Sequence, residues 1–194
     1  MTVPAIELTL ERFRKAHEES YETALAEIRS GRKRSHWIWY IFPQIQGLGH
    51  SAVAQYYAIQ SAAEAKAYWN DPVLSAHLVE ISSELLKQDG AVEAIMGYPD
   101  NLKLRSCMTL FYLISGDSIF RQVLDKFYDG SMDDETEKIL RQHRIMGQGD
   151  SASVLHQEKV WKMREYWMYF PFFILHDWDK ISAEARSSHC AVLP

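Results

Sequence analysis

The chain has 194 residues, 47% of them hydrophobic, and a formal net charge of -5. That is enough apolar material for a substantial core, and the length predicts one domain with an appendage. The balanced charge excludes a broad duplex-binding surface, which needs a basic excess, and no run reaches the roughly 18 apolar residues of a membrane span.

The two cysteines, Cys107 and Cys190, are too far apart in the chain to form a metal-type pair. They predict a reduced, intracellular protein. No basic-then-apolar leader opens the sequence, so the expected location is the cytoplasm.

From Glu7 to Ile28 the apolar positions recur at helical spacing: Leu10, Phe13, Ala16/His17, Tyr21, Ala24/Leu25 and Ile28. Acidic residues lead this helix, Arg29 closes it, and Gly31 ends it. Next comes Arg32-Lys33-Arg34-Ser35-His36, followed by the apolar block Trp37-Ile-Trp-Tyr-Ile-Phe42, which Pro43 stops. This block predicts a buried turn or short helix leading into an irregular loop. A helix is expected near Ser51, carrying Gln55, Tyr56 and Ile59. Ser61-Ala-Ala-Glu64 is a capping box, so another helix runs from Ser61 to about Trp69. Asp71-Pro72 restarts the chain as cap and first helical residue, with Leu74, Leu78, Ile81, Leu85 and Leu86 on one face.

Gly90 breaks that helix, and Ala91 to Met96 forms a short one ended by Gly97. Pro99-Asp100 opens LKLRSCMTLFYLI, whose Leu102, Ser106, Thr109/Leu110 and Leu113 are expected to face inward. Asp117 caps a helix with Phe120, Val123, Leu124 and Phe127. Asp129-Gly130 is a turn, and Asp133 caps a helix to about Arg141. No segment alternates with period two. The expected fold is all-α, a compact single-domain array of six to eight short helices over residues 1–145. Residues 146–194 read as a glycine- and serine-containing linker plus an aromatic-rich C-terminal extension.

The stretch from Gly31 to Ser51 concentrates the chemistry. Gly47-Leu-Gly49-His-Ser51 at a helix start suits an anion, because glycines admit close backbone approach and first-turn N–H groups face a phosphate. It serves equally as a glycine turn capped by Ser51. Arg32, Lys33 or Arg34 would fold back to share the phosphate charge, and Lys103 or Arg105 from the later helix would close over the ligand or form a surface ion pair with Asp100. Trp37 and Trp39 would stack on a planar ring or pack in the core. Ser35 and Gln44 place polar groups at the two ends of the aromatic block, as a pocket wall needs. His36 and His50 are the candidate proton carriers, since imidazole titrates near neutral pH. Cys107 lies in an apolar helix and reads as packing. There is no His-Glu-x-x-His and no Cys-x-x-Cys. His176, Asp177 and Asp179 are a weak trio, so neither metal nor cofactor is assigned.

Three segments, KRSHWIWYIFPQIQGLGHS, YPDNLKLRSCMTLF and VLDKFYDGSMDDETEKIL, resemble domain-of-unknown-function family 1810, once labelled calpastatin-like. The resemblance runs from about Leu8 to Leu140 and implies a compact all-helical fold without an established activity. A fainter order of features is similar to the NADAR (YbiA-like) family, associated with ADP-ribose and with cleaving N-glycosidic bonds to ribose phosphates. Ser51, Gln55, Asp71, Arg105, Met108, Lys126 and Phe127 follow that family's order, whereas Val53 and Ala54 stand where it has Glu and His. The expectation is binding, with possible N-glycosidic hydrolysis, of a small phosphorylated ribosyl or nucleotide-like ligand. The rival expectation is a protein-interaction module using the aromatic extension around Trp161–Trp178.

Overall fold

The computed structural model describes residues 5–146, and those residues carry nine helices and no strand. In chain order these are α1 (Ala5–Arg29), α2 (Ile38–Ile41), α3 (Ala52–Tyr56), α4 (Ala62–Asn70), α5 (Pro72–Leu86), α6 (Val92–Met96), α7 (Asp100–Ser115), α8 (Ser118–Tyr128) and α9 (Asp134–Met146). The all-α expectation holds. The count exceeds eight because the aromatic block, expected as a buried turn or short helix, forms the four-residue α2. The linker, the aromatic extension and the His176–Asp177–Asp179 trio lie outside the described residues. No described helix is long and apolar enough to cross a membrane.

The local signals work as the sequence predicts. Every apolar position expected on α1 from Leu10 to Ile28 is buried. Ser61 accepts from Glu64 N, Asp71 from Val73 N and Leu74 N, and Asp117 from Ile119 N, so three helices start on their predicted caps. Gly31 turns the chain out of α1 with φ +73°, a conformation costly for residues with a Cβ.

Two expectations change. Ile59 is not part of the helix after Ser51. It follows α3 and pairs in parallel with Ile45 as an isolated bridge, through Gln46 N to Ile59 O and Ile59 N to Gln44 O, both 2.8 Å. Leu102 does not face inward: it is 44% exposed. It sits in the first turn of α7, where Asn101 and Leu104 take the inward positions. From Ser106 to Phe111 α7 is buried on all sides, because it packs against α4, α6, α8 and α9 together. A helix in the middle of an array has no single inward face for a periodic pattern to mark.

One polar cluster ties α1, α2 and α5. His17 is buried, with Nε2 2.9 Å from the Tyr40 carbonyl and Nδ1 3.0 Å from His77 Nδ1. A carbonyl only accepts, so His17 carries its hydrogen on Nε2 and its Nδ1 is the acceptor. His77 therefore donates from Nδ1. Tyr21 stacks on His77 at 3.6 Å and donates to Glu80 Oε2 at 2.8 Å. Burial, reinforced by repulsion from His77 when that ring is protonated and only partly offset by the Tyr40 carbonyl and Asp71, depresses His17 to about 4. The ring is neutral at physiological pH.

Candidate functional site

The segment between α1 and α2 is irregular, and it is held by a carboxylate eight residues upstream. Glu27, in the last turns of α1, accepts from Arg34 N at 2.7 Å, from Ser35 N at 3.0 and 3.1 Å, and from Trp37 Nε1 at 2.8 Å. The Ser35 hydroxyl also donates to it. Burial raises the carboxyl's pKa, but the bonds from Ser35, Arg34 and Trp37 outweigh that and bring it down to about 2. Glu27 is ionised at any physiological pH. Lys33 N donates to the Ile95 carbonyl at 2.7 Å, which fastens the same loop to α6.

A second carboxylate joins this loop to α7. Asp100 Oδ2 lies 2.7 Å from Lys33 Nζ, and its Oδ1 lies 2.6 Å from Lys103 Nζ. Burial raises the Asp100 pKa, and the two ammonium groups more than reverse this, holding it below the usual carboxylate range. Each ammonium also covers an indole. Lys33 Nζ is 4.9 Å from the Trp37 ring centre and Lys103 Nζ is 4.7 Å from that of Trp39, both within cation–π range.

The two lysine–tryptophan pairs differ in access. Trp37 is in the core, and the Lys33 side chain is only 7% exposed and donates again to the Ser35 carbonyl at 2.5 Å. Trp39 is half-buried and the Lys103 side chain is 22% exposed. Arg32, Arg34 and His36 are exposed and alternate along the chain with Lys33, Ser35 and Trp37. This edge, a flat apolar ring with an ammonium over it, has the chemistry to take a planar anionic molecule.

The structure thus brings together Lys33, Ser35, Trp37, Trp39 and Lys103 from the sequence-predicted set. It makes Ser35 and Trp37 partners of Glu27 and leaves Trp39 and Lys103 as the accessible members. Arg105 stands apart, 3.5 Å from Asp133, whose other oxygen accepts from Thr136 N and Oγ1 at the start of α9.

The Gly47–Ser51 turn is built as scaffold. Ser51 Oγ accepts from Ala54 N at 3.2 Å as the cap of α3, a helix of only five residues. A Cβ on Gly49 would lie 2.5 Å from the Ala54 Cβ, and Gly47 has φ +107°. Gln44 contributes its backbone to the Ile59 bridge. His50 is exposed, and its carbonyl accepts from Gln55 at 3.4 Å. Among the described residues no hydrogen bond, ion pair or ring contact links residues 47–51 to Lys33, Asp100 or Lys103. Nor does any group of three or more His, Cys, Asp and Glu stand ready to hold a metal.

Positions that follow the NADAR order also have scaffold roles. Asp71 caps α5 and pairs with Arg14 at 2.6 Å, and Met108 lies in the core. Lys126 donates to the Leu86 and Gln88 carbonyls at the end of α5, at 2.8 and 2.7 Å.

Sequence reasoning missed Glu27 and His77. Glu27 carries a faint signal: a carboxylate near a helix C-terminus opposes the helix dipole and needs another reason to be there. His77 carries none.

Residues 7–140 match the family described as "Protein of unknown function (DUF1810)". Among solved structures, the conserved hypothetical protein Rv1873 from Mycobacterium tuberculosis is similar, at 40% identity and a TM-score of 0.67. The match covers 68% of this chain and 96% of that one. No curated protein matches. The matched span agrees with the three resembling segments, and these findings do not extend to the NADAR likeness.

Proposed function

We propose, from the premise that this chain belongs to the family described as "Protein of unknown function (DUF1810)", that it binds a small phosphorylated ribosyl or nucleotide-like molecule of the ADP-ribose type. The seat of binding is the edge formed by Trp39 and Lys103. The observation that carries this reading is the double placement of the Lys103 ammonium, 4.7 Å over the Trp39 ring and 2.6 Å from Asp100, at a partly open position. An indole face offers stacking worth about 1–3 kcal/mol per base. Lys103, with the exposed Arg32 and Arg34, supplies local positive charge on a chain of net charge -5.

Binding is better supported than hydrolysis. Cleaving an N-glycosidic bond requires a group that delivers or removes a proton near neutral pH. Glu27 and Asp100 are held ionised and engaged, so neither serves as the acid. His36, exposed and next to Ser35 in the chain, is the candidate proton carrier.

Calorimetric titration of the full chain with ADP-ribose and ribosyl phosphates tests the reading. Trp39→Ala is expected to weaken affinity about fivefold or more, in keeping with one lost stacking contact, while circular dichroism confirms an intact fold. His36→Ala separates binding from turnover: it leaves affinity unchanged and abolishes any release of free base. Absence of binding to the wild-type chain at millimolar ligand rejects the proposal.

A further inference from the structure

We infer that Lys103 is a displaceable cover on Trp39, and that this makes the edge select molecules carrying both a planar ring and a phosphate over either group alone. The inference rests on the ligand reading above and adds how one side chain would couple its two halves.

Asp100 is shared by an inner lysine and an outer one, and they are not equivalent. Lys33 is fixed by Asp100 at 2.7 Å, the Ser35 carbonyl at 2.5 Å and the Trp37 face at 4.9 Å, and is 7% exposed. Among the described residues the Lys103 ammonium has one hydrogen-bond partner, Asp100 at 2.6 Å, and one ring, Trp39 at 4.7 Å, and the side chain is 22% exposed. If Lys103 leaves, Asp100 remains neutralised by Lys33, so departure strands no buried charge. What is given up is a pair three residues apart on one helix and one cation–π contact, both weak where water reaches.

In place, the ammonium lies over the indole face that a base would stack on. A ring without phosphate must displace it and offers nothing in return. A phosphate without a ring meets a lysine already paired with Asp100. A molecule with both draws the ammonium onto its phosphate and lays its ring on the vacated indole. Phosphate recognition and ring stacking then become one event.

The test is calorimetry of the full chain with adenosine, inorganic phosphate and ADP. The wild type is expected to bind ADP far better than either fragment. Lys103→Ala uncovers the ring and removes the phosphate partner. Adenosine is expected to bind about twofold to fivefold better, the worth of a partly exposed cation–π contact. ADP is expected to bind at least tenfold worse, the worth of a charge-assisted hydrogen bond. Lys103→Met, which keeps the hydrocarbon stem, guards against a folding defect and is expected to weaken ADP to the same degree. ADP binding by the wild type without improved adenosine binding by Lys103→Ala overturns the cover and leaves the ligand reading standing. Unchanged ADP affinity in both variants also overturns it. Failure of ADP and adenosine to bind any form removes the ligand reading and the cover together.

Discussion

Two polar clusters lie against the same hydrophobic core, and they resolve burial in opposite ways. Between α1, α2 and α5, His17 and His77 stay uncharged and satisfy each other and the Tyr40 carbonyl through a fixed pair of tautomers. Between α1, α2 and α7, the Glu27 carboxylate is held by neutral donors and Asp100 is shared by the Lys33 and Lys103 ammonium groups. The neutral pair is closed, because each ring nitrogen that faces inward is already satisfied and acid opposes the arrangement. The charged cluster ends in a partly exposed lysine, which under the proposed reading passes from Asp100 to an incoming anion. Engagement alone therefore does not mark a polar cluster as structural. The test is whether one member can leave without stranding another.

The comparison breaks most sharply at Asp100. Asp100→Ala leaves the Lys33 ammonium buried without a counter-charge, which is expected to cost about 3–5 kcal/mol. Urea unfolding at neutral pH measures it, and a loss below about 1 kcal/mol would mean that Lys33 is solvated after all. The neutral cluster is tested next by acid. The unfolded His17 ring takes a proton near 6.5, the folded one only near 4, so between these values the unfolded chain binds more protons. Stability is thus expected to fall as pH drops from 6.5 towards 4, by up to about 3 kcal/mol, and then to stop falling on this account. His17→Gln can still donate to the Tyr40 carbonyl and accept from His77. It should flatten that part of the pH dependence of the denaturation midpoint, and an unchanged slope would assign it elsewhere. The smallest effect sharpens the boundary of the site. Ser51→Ala removes a helix cap and should cost about 1 kcal/mol of stability with no change in affinity for ADP-ribose. A parallel loss of affinity would bring the Gly47–Ser51 turn back into the site.

Much of the scaffold was legible because helix signals are local. Ser61, Asp71 and Asp117 cap as their sequences predict, and α1 buries each of its periodic positions. Leu102 and Ile59 were misread for different reasons. Leu102 belongs to a helix enclosed on several sides, whose pattern points nowhere in particular. Ile59 is held by a bridge to Ile45 that no spacing announces. At the site, Lys33, Ser35, Trp37, Trp39 and Lys103 were all recognisable as chemistry-bearing residues. Their division of labour was not, because it depends on Glu27 and Asp100, whose partners are chosen in three dimensions.

The amino-acid sequence by itself determined the helical class, the starts of most helices and the concentration of rings and cations between Gly31 and Ser51. Those features arise from contacts within about four residues along a helix or from composition within one short stretch. Only the tertiary structure decided that Lys33 is locked and Lys103 is not, and that Trp37 is core while Trp39 reaches the surface. Lys33 and Asp100, like Trp39 and Lys103, are more than sixty positions apart in the chain. Their pairing exists only once α7 has packed into the middle of the array and carried its first turn to the loop that Glu27 holds.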